Sequence, residues 1–272
     1  MPYRHLHMWL SLLLPLTFLA FLPNYFLIFS SASWAFHIHG ATATAWIALL
    51  AFQSWSIHRR RNALHRAAGI ASLALFPLFL AGSLLILHSM AAKFATGTDL
   101  FYGPLASRLA AIDTVATFAI GWFYWQGLRA RRNVQLHPRW LVATILFLLS
   151  PVFGRLIAMQ VPGLMIRGPE DFGNFPTTVR IANVLVLLIA LWLARRAGRH
   201  ARPMLVAAAL VVLQIILFEL ATGFAPWESM LVAISRVPAT AIFAVGTAIG
   251  ALLAWLGWAA VPPRQTRPAE AA

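Results

Sequence analysis

The chain has 272 residues, of which 61% are hydrophobic and 10% are charged, and its formal net charge is +14. A soluble domain has about 25% charged residues, so this composition indicates an integral membrane protein. An open sheet cannot satisfy its edge groups in lipid, and the alternating pattern of a membrane barrel is absent, so we predict an all-α polytopic helix bundle. The lack of cysteine excludes disulfides, iron–sulfur clusters and cysteine-ligated zinc. In a chain this apolar, the positive charge indicates membrane topology and not nucleic-acid binding.

Long apolar blocks predict eight transmembrane helices, because about 20 residues cross a hydrocarbon core of roughly 30 Å. In chain order the predicted spans are 8–29, 37–57, 67–90, 106–127, 140–160, 179–196, 203–223 and 236–258. The first block also resembles a signal peptide, but its apolar stretch is longer than the roughly 7–15 residues of that class, which favours an uncleaved helix. We expect one transmembrane domain, 1–262, followed by a disordered cytoplasmic tail, 263–272.

Clusters of arginine follow the second, fourth and sixth predicted spans. Positively charged loops stay in the cytoplasm, so the pattern predicts cytoplasmic N and C termini and a multi-pass protein of the bacterial inner membrane. The segment HRRRNALHRAAG at 58–69 is similar to RARRNVQLHPRWL at 129–141. This similarity favours a parallel repeat of two hairpins, 37–90 and 106–160, although chance likeness between apolar helices is an equal alternative.

Histidine recurs where apolar segments begin, although membrane anchoring needs only Arg or Lys. His65 and His137 lie at matching depth at the cytoplasmic starts of the third and fifth spans, whereas His39 and His88 lie toward the outer side. Paired histidines on different helices are the axial ligands that a b-type haem requires. In this hypothesis the inner iron ligands are His65 and His137, with His58 as an alternative, and the outer ones are His39 and His88. Interfacial contact with headgroups or helix ends is the competing interpretation.

Ionisable side chains in the outer half of the bundle form a second group. A charge inside a membrane is costly, so it normally faces a cavity and finds a partner. Asp113 and Arg155 lie at similar depth on adjacent helices, which predicts an ion pair, and Glu219 is expected to pair with Arg180 or Arg236. The group predicts either an outward-facing pocket for a small polar or anionic molecule or a set of structural ion pairs. Its other candidate members are Arg108, Asn183 and Gln53, the last also a candidate for helix–helix hydrogen bonding.

Several of these residues belong to short sequence motifs that also occur in other membrane proteins. They are His39 with Trp46, then Gln53, the LHRAAG segment with His65, Arg66 and Gly69, then Asp113, and HPRW followed by Arg155. The motifs resemble a group of bacterial multi-pass membrane proteins, and more distantly the two-haem transmembrane cytochrome b proteins that pass electrons from ascorbate or quinol. The resemblance covers about residues 35–160 and implies haem b, with His39, His65 and His137 as the matching histidines, while His88 belongs to no matching motif.

Three functions remain open from the sequence. The first is a b-type haem protein for electron transfer, in which Arg66 and Arg139 would neutralise the haem propionates. The second is a transporter or small-molecule binder with an outward pocket around Asp113, Arg155 and Glu219. The third is a membrane enzyme acting on lipid or quinone, for which the sequence identifies no nucleophile. The lipid bilayer is the expected partner in all three, with quinone or a small polar molecule as a further one.

Overall fold

The structure is a computed structural model that describes residues 2–261, so the predicted tail at 263–272 lies outside the described residues. Within that range the chain forms nine α-helices and no strand. The helices are α1 Leu6–Phe21, α2 Trp34–His58, α3 Asn62–Thr96, α4 Tyr102–Arg129, α5 Leu136–Gln160, α6 Phe175–Ala197, α7 Arg202–Leu220, α8 Ala225–Ser235 and α9 Ala239–Ala259. This architecture confirms the all-α helix bundle predicted from composition.

Seven helical segments of the described chain are long and apolar enough to cross a membrane by length and composition. α4 is not among them, and it carries Arg108, Asp113 and Arg129. It is 28 residues long and packs against α3, α5, α7 and α9. The helical segments that meet this criterion match seven of the eight predicted spans, and α4 corresponds to the remaining one, 106–127.

The observed helices differ from the predicted spans mainly at their ends. α3 has 35 residues, because its helix continues past the apolar block on both sides. α1 ends early, at Phe21, and is followed by a single π-helical turn, Leu22–Phe26, which contains Pro23. A hydropathy window marks the segment that lies in lipid and not the residue at which helical hydrogen bonding stops. The short outer helix α8 was not predicted, since it has only 11 residues.

α9 packs closely against α3 through glycine. A Cβ on Gly250 would lie 2.5 Å from the Cα of Pro77, and a Cβ on Gly246 would lie 2.7 Å from the Cα of Ala81. In a membrane, burial from water does not drive helices together, so small residues four apart allow the close backbone contact that holds them. The glycines of α9 therefore decide where α3 sits at the centre of the bundle.

Aromatic rings fill the middle of the bundle between α2, α3 and α4. The side chains of Trp46, Phe76, Phe79 and Tyr124 are at most 1% exposed. Phe76 and Tyr124 stack with ring centroids 3.9 Å apart, and Trp46 stacks on Phe79 at 5.8 Å. Trp46 Nε1 donates a hydrogen bond to Thr144 Oγ1 of α5 at 3.0 Å, so its polar atom is satisfied. This packed layer separates the polar groups at one end of the bundle from those at the other.

The arginine-bearing loops share one end of the bundle with both ends of the described chain. Arg131, after α4, donates to the backbone carbonyls of Gly257 and Val261 at the end of α9. The guanidinium of Arg139, near the start of α5, lies 5.5 Å from the ring of Tyr3. We refer to this end as the cytoplasmic end and to the opposite one as the outer end, following the charge pattern. Location in the bacterial inner membrane stays a prediction.

Candidate functional site

Three ionisable side chains from three helices meet in the outer half of the bundle. They are His39 of α2, Asp113 of α4 and Arg155 of α5, and Arg155 interacts electrostatically with both of the others. Asp113 lies about 16 Å from the start of α4 and Arg155 about 8 Å from the end of α5, at 1.5 Å per residue. Helical side chains lean toward the N-terminus of their own helix, so Asp113 leans outward and Arg155 inward, which brings the two together. We call these three residues the outer polar cluster.

Asp113 and Arg155 do not form the direct ion pair that their positions predict. The ion pairs between described side chains are Lys93–Asp99 at 3.2 Å and Arg180–Glu219 at 2.6 Å. Arg155 instead donates from Nη1 to the carbonyl of Pro151, one turn earlier on α5, at 3.1 Å. Its guanidinium also lies over the ring of Phe21, 4.2 Å from the centroid. The positive charge is therefore held near Asp113 without being neutralised by contact.

Two nitrogen atoms of the outer polar cluster lack a hydrogen-bond partner. The Nε of Arg155 and the Nδ1 of His39 are both buried, and no protein group bonds either one. A buried polar atom without a partner costs about 1–3 kcal/mol, so such atoms indicate a place for water or a ligand. Asp113, Arg155 and His39 are densely surrounded by protein and yet each keeps some accessible surface. The three side chains are therefore neither fully closed off nor openly exposed, which leaves room beside them for a small polar molecule.

Aromatic side chains surround part of the outer polar cluster. The ring of Phe79 lies 6.3 Å from that of His39, and Phe21 covers the guanidinium of Arg155. Tyr102, at the start of α4, interacts electrostatically with both Arg155 and Asp113. Neither Phe21 nor Tyr102 stands out in the sequence, because aromatic residues are common within membrane spans and at their ends.

The other predicted pocket residues form separate contacts between neighbouring helices. Arg180 of α6 and Glu219 of α7 form a bidentate pair at 2.6 and 2.9 Å, with side chains 45% and 40% exposed. Arg108 donates from Nε to Thr222 Oγ1 at 2.9 Å. Asn183 is buried and accepts a hydrogen bond from a serine of α5 at 2.7 Å. These contacts link α4, α5, α6 and α7 and belong to the packing of the bundle.

The two histidines at the cytoplasmic starts of α3 and α5 make the same kind of contact. His65 Nδ1 lies 3.3 Å from the carbonyl oxygen of Gln53, and His137 Nδ1 lies 2.8 Å from that of Gly127. A carbonyl only accepts, so each Nδ1 carries the proton and each Nε2 is left available. Each histidine thus ties the start of its helix to the end of the preceding one. The two rings also interact electrostatically with one another.

His39 and His88 do not face one another. A Cβ on Gly82 of α3 would lie 3.0 Å from the Cα of His39, so these two residues are level. His88 lies about 9 Å farther along α3, at 1.5 Å per residue. Its Nε2 donates to the carbonyl of Val237 at 2.8 Å. The residues present therefore do not fit an outer haem held by this pair.

The remaining residues named for the haem hypothesis lie at the cytoplasmic end. Arg66 is exposed, whereas Arg139 is 6% exposed and donates from Nη1 to the side-chain oxygen of Gln135 at 2.7 Å. The Nε of Arg139, the Nε2 of His58 and the Oε1 of Gln53 are buried without a partner. In the described part of the chain, no group of three or more His, Cys, Asp or Glu residues would hold a metal ion.

Comparisons with known proteins do not identify a function for this chain. No protein-family model, curated protein or solved structure has a significant match to the chain. The resemblance of the short motifs to bacterial multi-pass proteins and to cytochrome b proteins therefore stays a prediction.

Proposed function

We propose that this membrane protein binds a small molecule that carries an anionic group, in a cavity at the outer polar cluster. The observation that supports this proposal is the pair of unpartnered nitrogens, Arg155 Nε and His39 Nδ1, beside a carboxylate that does not contact the arginine. A guanidinium and a carboxylate in a purely structural role would close into a direct ion pair, because separation in a low-dielectric interior costs free energy.

Each residue of the cluster has a distinct chemical capacity. Arg155 presents N–H donors to a carboxylate or phosphate group, and hydrogen bonds between two charged partners are the strongest that a protein makes. The ring of Phe21 fixes the orientation of the guanidinium through a cation–π contact at 4.2 Å. Asp113 accepts a hydrogen bond from a hydroxyl or ammonium group of the same ligand. His39 Nδ1 accepts or donates according to its tautomer.

The geometry favours a ligand with two kinds of polar group. Arg155 and Asp113 are near one another and not in contact, so one molecule with an anionic end and a hydrogen-bond donor satisfies both. Amino acids and hydroxy acids have this chemistry. Binding such a molecule would remove the cost of two orphaned nitrogens, which is the physical source of affinity. The functional class is a transporter or a receptor-like binder.

The test is thermal stabilisation of the detergent-purified protein by a panel of amino acids, hydroxy acids and simple carboxylates. A member of the panel should raise the melting temperature of the wild type. Arg155→Gln and Asp113→Asn should weaken that effect at least about tenfold in apparent affinity, since charge-assisted hydrogen bonds contribute about 1.5–3 kcal/mol each. Arg180→Gln is the matched control, because it removes an outer-end arginine that lies outside the cluster.

The result that would contradict the proposal is also specific. If no member of the panel stabilises the wild type, and Arg155→Gln and Asp113→Asn merely lower the melting temperature, the cluster is structural. Equal weakening by the Arg180→Gln control would show that the general field of the outer end, and not the cavity, attracts the ligand.

A second candidate function rests on the cytoplasmic histidines. His65 and His137 each donate Nδ1–H to a backbone carbonyl, which is how metal-bound histidines are usually oriented, and each leaves Nε2 available. Two such nitrogens are the donors that one b-type haem at the cytoplasmic end would need, and a bound haem would supply one-electron transfer. In that case Arg139 would lie near the haem propionates. The electron donor, with quinol as the candidate, stays a prediction.

The haem hypothesis has a direct optical test. The purified protein, produced with ample haem, is measured oxidised and dithionite-reduced, with haem quantified per polypeptide. One haem per chain is expected, lost in His65→Ala and His137→Ala and retained in His88→Ala. A featureless spectrum would leave both histidines as ties between helices.

A further inference from the structure

A pocket of about 370 Å³ lies at the cytoplasmic end of the bundle, away from the outer polar cluster. It is bounded by the end of α4, the start of α5, the start of α7 and the end of α9. Gln126, Arg129 and Arg202 supply its polar side chains, while Leu136 and Trp140 supply apolar walls. We refer to it as the cytoplasmic pocket.

The cytoplasmic pocket is positively charged without an acidic counterpart. Arg129 and Arg202 are both exposed, and neither has an acidic partner among the described residues. The guanidinium of Arg129 is oriented by Trp125, whose ring centroid lies 4.7 Å away. In the described chain, every Asp and Glu lies in the outer half of the bundle or in outer loops: Asp99, Asp113, Glu170, Asp171, Glu219 and Glu228. No acidic side chain of the described chain therefore offsets the positive charge of this pocket.

Helix ends add to the positive field. α5 begins at Leu136 and α7 begins at Arg202, so the first turns of two helices line the pocket. The first turn of a helix is the positive end of the helix dipole and attracts anions, although several N–H groups of these two turns are already bonded within the chain. Two arginines and two helix starts thus converge on one cavity.

The opposing helix ends are largely neutralised. The carbonyls at the ends of α4 and α9 would repel an anion, but several are already bonded by cationic or N–H groups. His137 Nδ1 donates to Gly127 O at 2.8 Å, and Arg131 donates to Gly257 O at 3.3 Å and to Val261 O. The side chains and helix ends around the cytoplasmic pocket therefore carry a net positive charge.

We infer that the cytoplasmic pocket binds the phosphate group of an anionic phospholipid. The pocket lies where a cytoplasmic-leaflet headgroup is found, and basic pockets between transmembrane helices on that side recognise such headgroups. Arg129 and Arg202 contact the phosphate, and Gln126 bonds a headgroup oxygen. Trp140, which is 5% exposed, and Leu136 pack against the glycerol and the first methylene groups. A soluble phosphate would not use these apolar walls.

The experiment is native mass spectrometry of the full chain in detergent, titrated with phosphatidylglycerol, phosphatidylcholine or inorganic phosphate. The wild type should retain one phosphatidylglycerol in preference to phosphatidylcholine. The double variant Arg129→Gln/Arg202→Gln should bind phosphatidylglycerol at least about tenfold more weakly, because each of the two arginines contributes to the attraction of an anionic headgroup. Arg59→Gln/Arg195→Gln is the control, because it removes two exposed cytoplasmic arginines outside the pocket, and it should change binding about twofold or less.

Three outcomes would overturn the inference. Equal weakening in the control would assign binding to diffuse surface charge. Equal binding of phosphatidylcholine would remove the role of the net negative headgroup. Displacement of phosphatidylglycerol by inorganic phosphate at similar concentration would make the pocket a site for a soluble phosphate. Size-exclusion profiles matching the wild type would show that both double variants are folded.

Discussion

Substitution of Gly250 by alanine tests the contact that positions α3 at the centre of the bundle. The new Cβ would lie 2.5 Å from the Cα and 3.3 Å from the Cβ of Pro77. Ordinary carbon–carbon contacts are about 3.5–4.0 Å, so α9 would have to move roughly 1 Å away from α3 at this point. The obstacle is helical backbone, which cannot rotate aside as a side chain can. The movement would also loosen the Gly246 contact one turn away.

The expected cost follows from two opposed effects. Overpacking a tight interface costs about 1–3 kcal/mol, while replacing glycine by alanine inside a helix contributes about 1 kcal/mol of stability. Two close contacts loosen together, so overpacking exceeds the propensity gain, and the net loss should be about 1–2 kcal/mol. For a chain of this size that corresponds to a fall in melting temperature of about 2–8 °C.

Thermal unfolding in detergent, followed by fluorescence-detected size exclusion, measures this change. Gly154→Ala is the control, because its new Cβ would meet Ala182 at 3.8 Å, an ordinary contact, and should leave the protein as stable or slightly more stable. If Gly250→Ala were as stable as Gly154→Ala, α9 and α3 would not approach as closely as the structure has them.

The other stability predictions concern single polar contacts. Thr144→Val removes the oxygen that accepts the Trp46 N–H at 3.0 Å and should cost about 1 kcal/mol in the free energy of unfolding. Burial raises the pKa of Asp99, but hydrogen bonds from backbone N–H groups and an ion pair outweigh it, so the pKa lies below its ordinary value of 3.8. The wild type should therefore be more stable than Asp99→Ala near neutral pH, and part of the difference should be lost as the pH falls through that lowered pKa. Glu219→Gln removes an exposed ion pair and should change the free energy of unfolding by less than about 1 kcal/mol. Melting curves recorded across pH would check all three.

The histidines that begin the apolar segments show how far the sequence leads toward a site. Their repeated position predicted a shared role, and His65 and His137 do share one, since each bonds a carbonyl of the preceding helix. The acceptors are the backbone carbonyls of Gln53 and Gly127, and the sequence does not predict this role because every residue has a backbone carbonyl. The expected partnership of His39 with His88 depended on depth alone, and the stagger of α2 against α3 places the two about 9 Å apart along the axis of α3.

Membrane location and helical architecture follow from the sequence by itself. Lipid cannot hydrogen-bond the backbone, so an apolar chain with arginine-rich turns has almost no alternative to a multi-pass helix bundle, and each span is recognised from its own residues. Which polar groups meet is a property of several helices at once. It depends on helix rotation, stagger and the close contacts of Gly246 and Gly250, none of which a window of sequence contains. The pairing of Glu219 with Arg180 was one of the two that the sequence predicted, and the structure confirms it as an exposed contact apart from the cluster. Only the tertiary structure placed His39 within electrostatic range of Arg155 and kept Arg155 out of contact with Asp113, because both depend on how the helices are rotated and staggered.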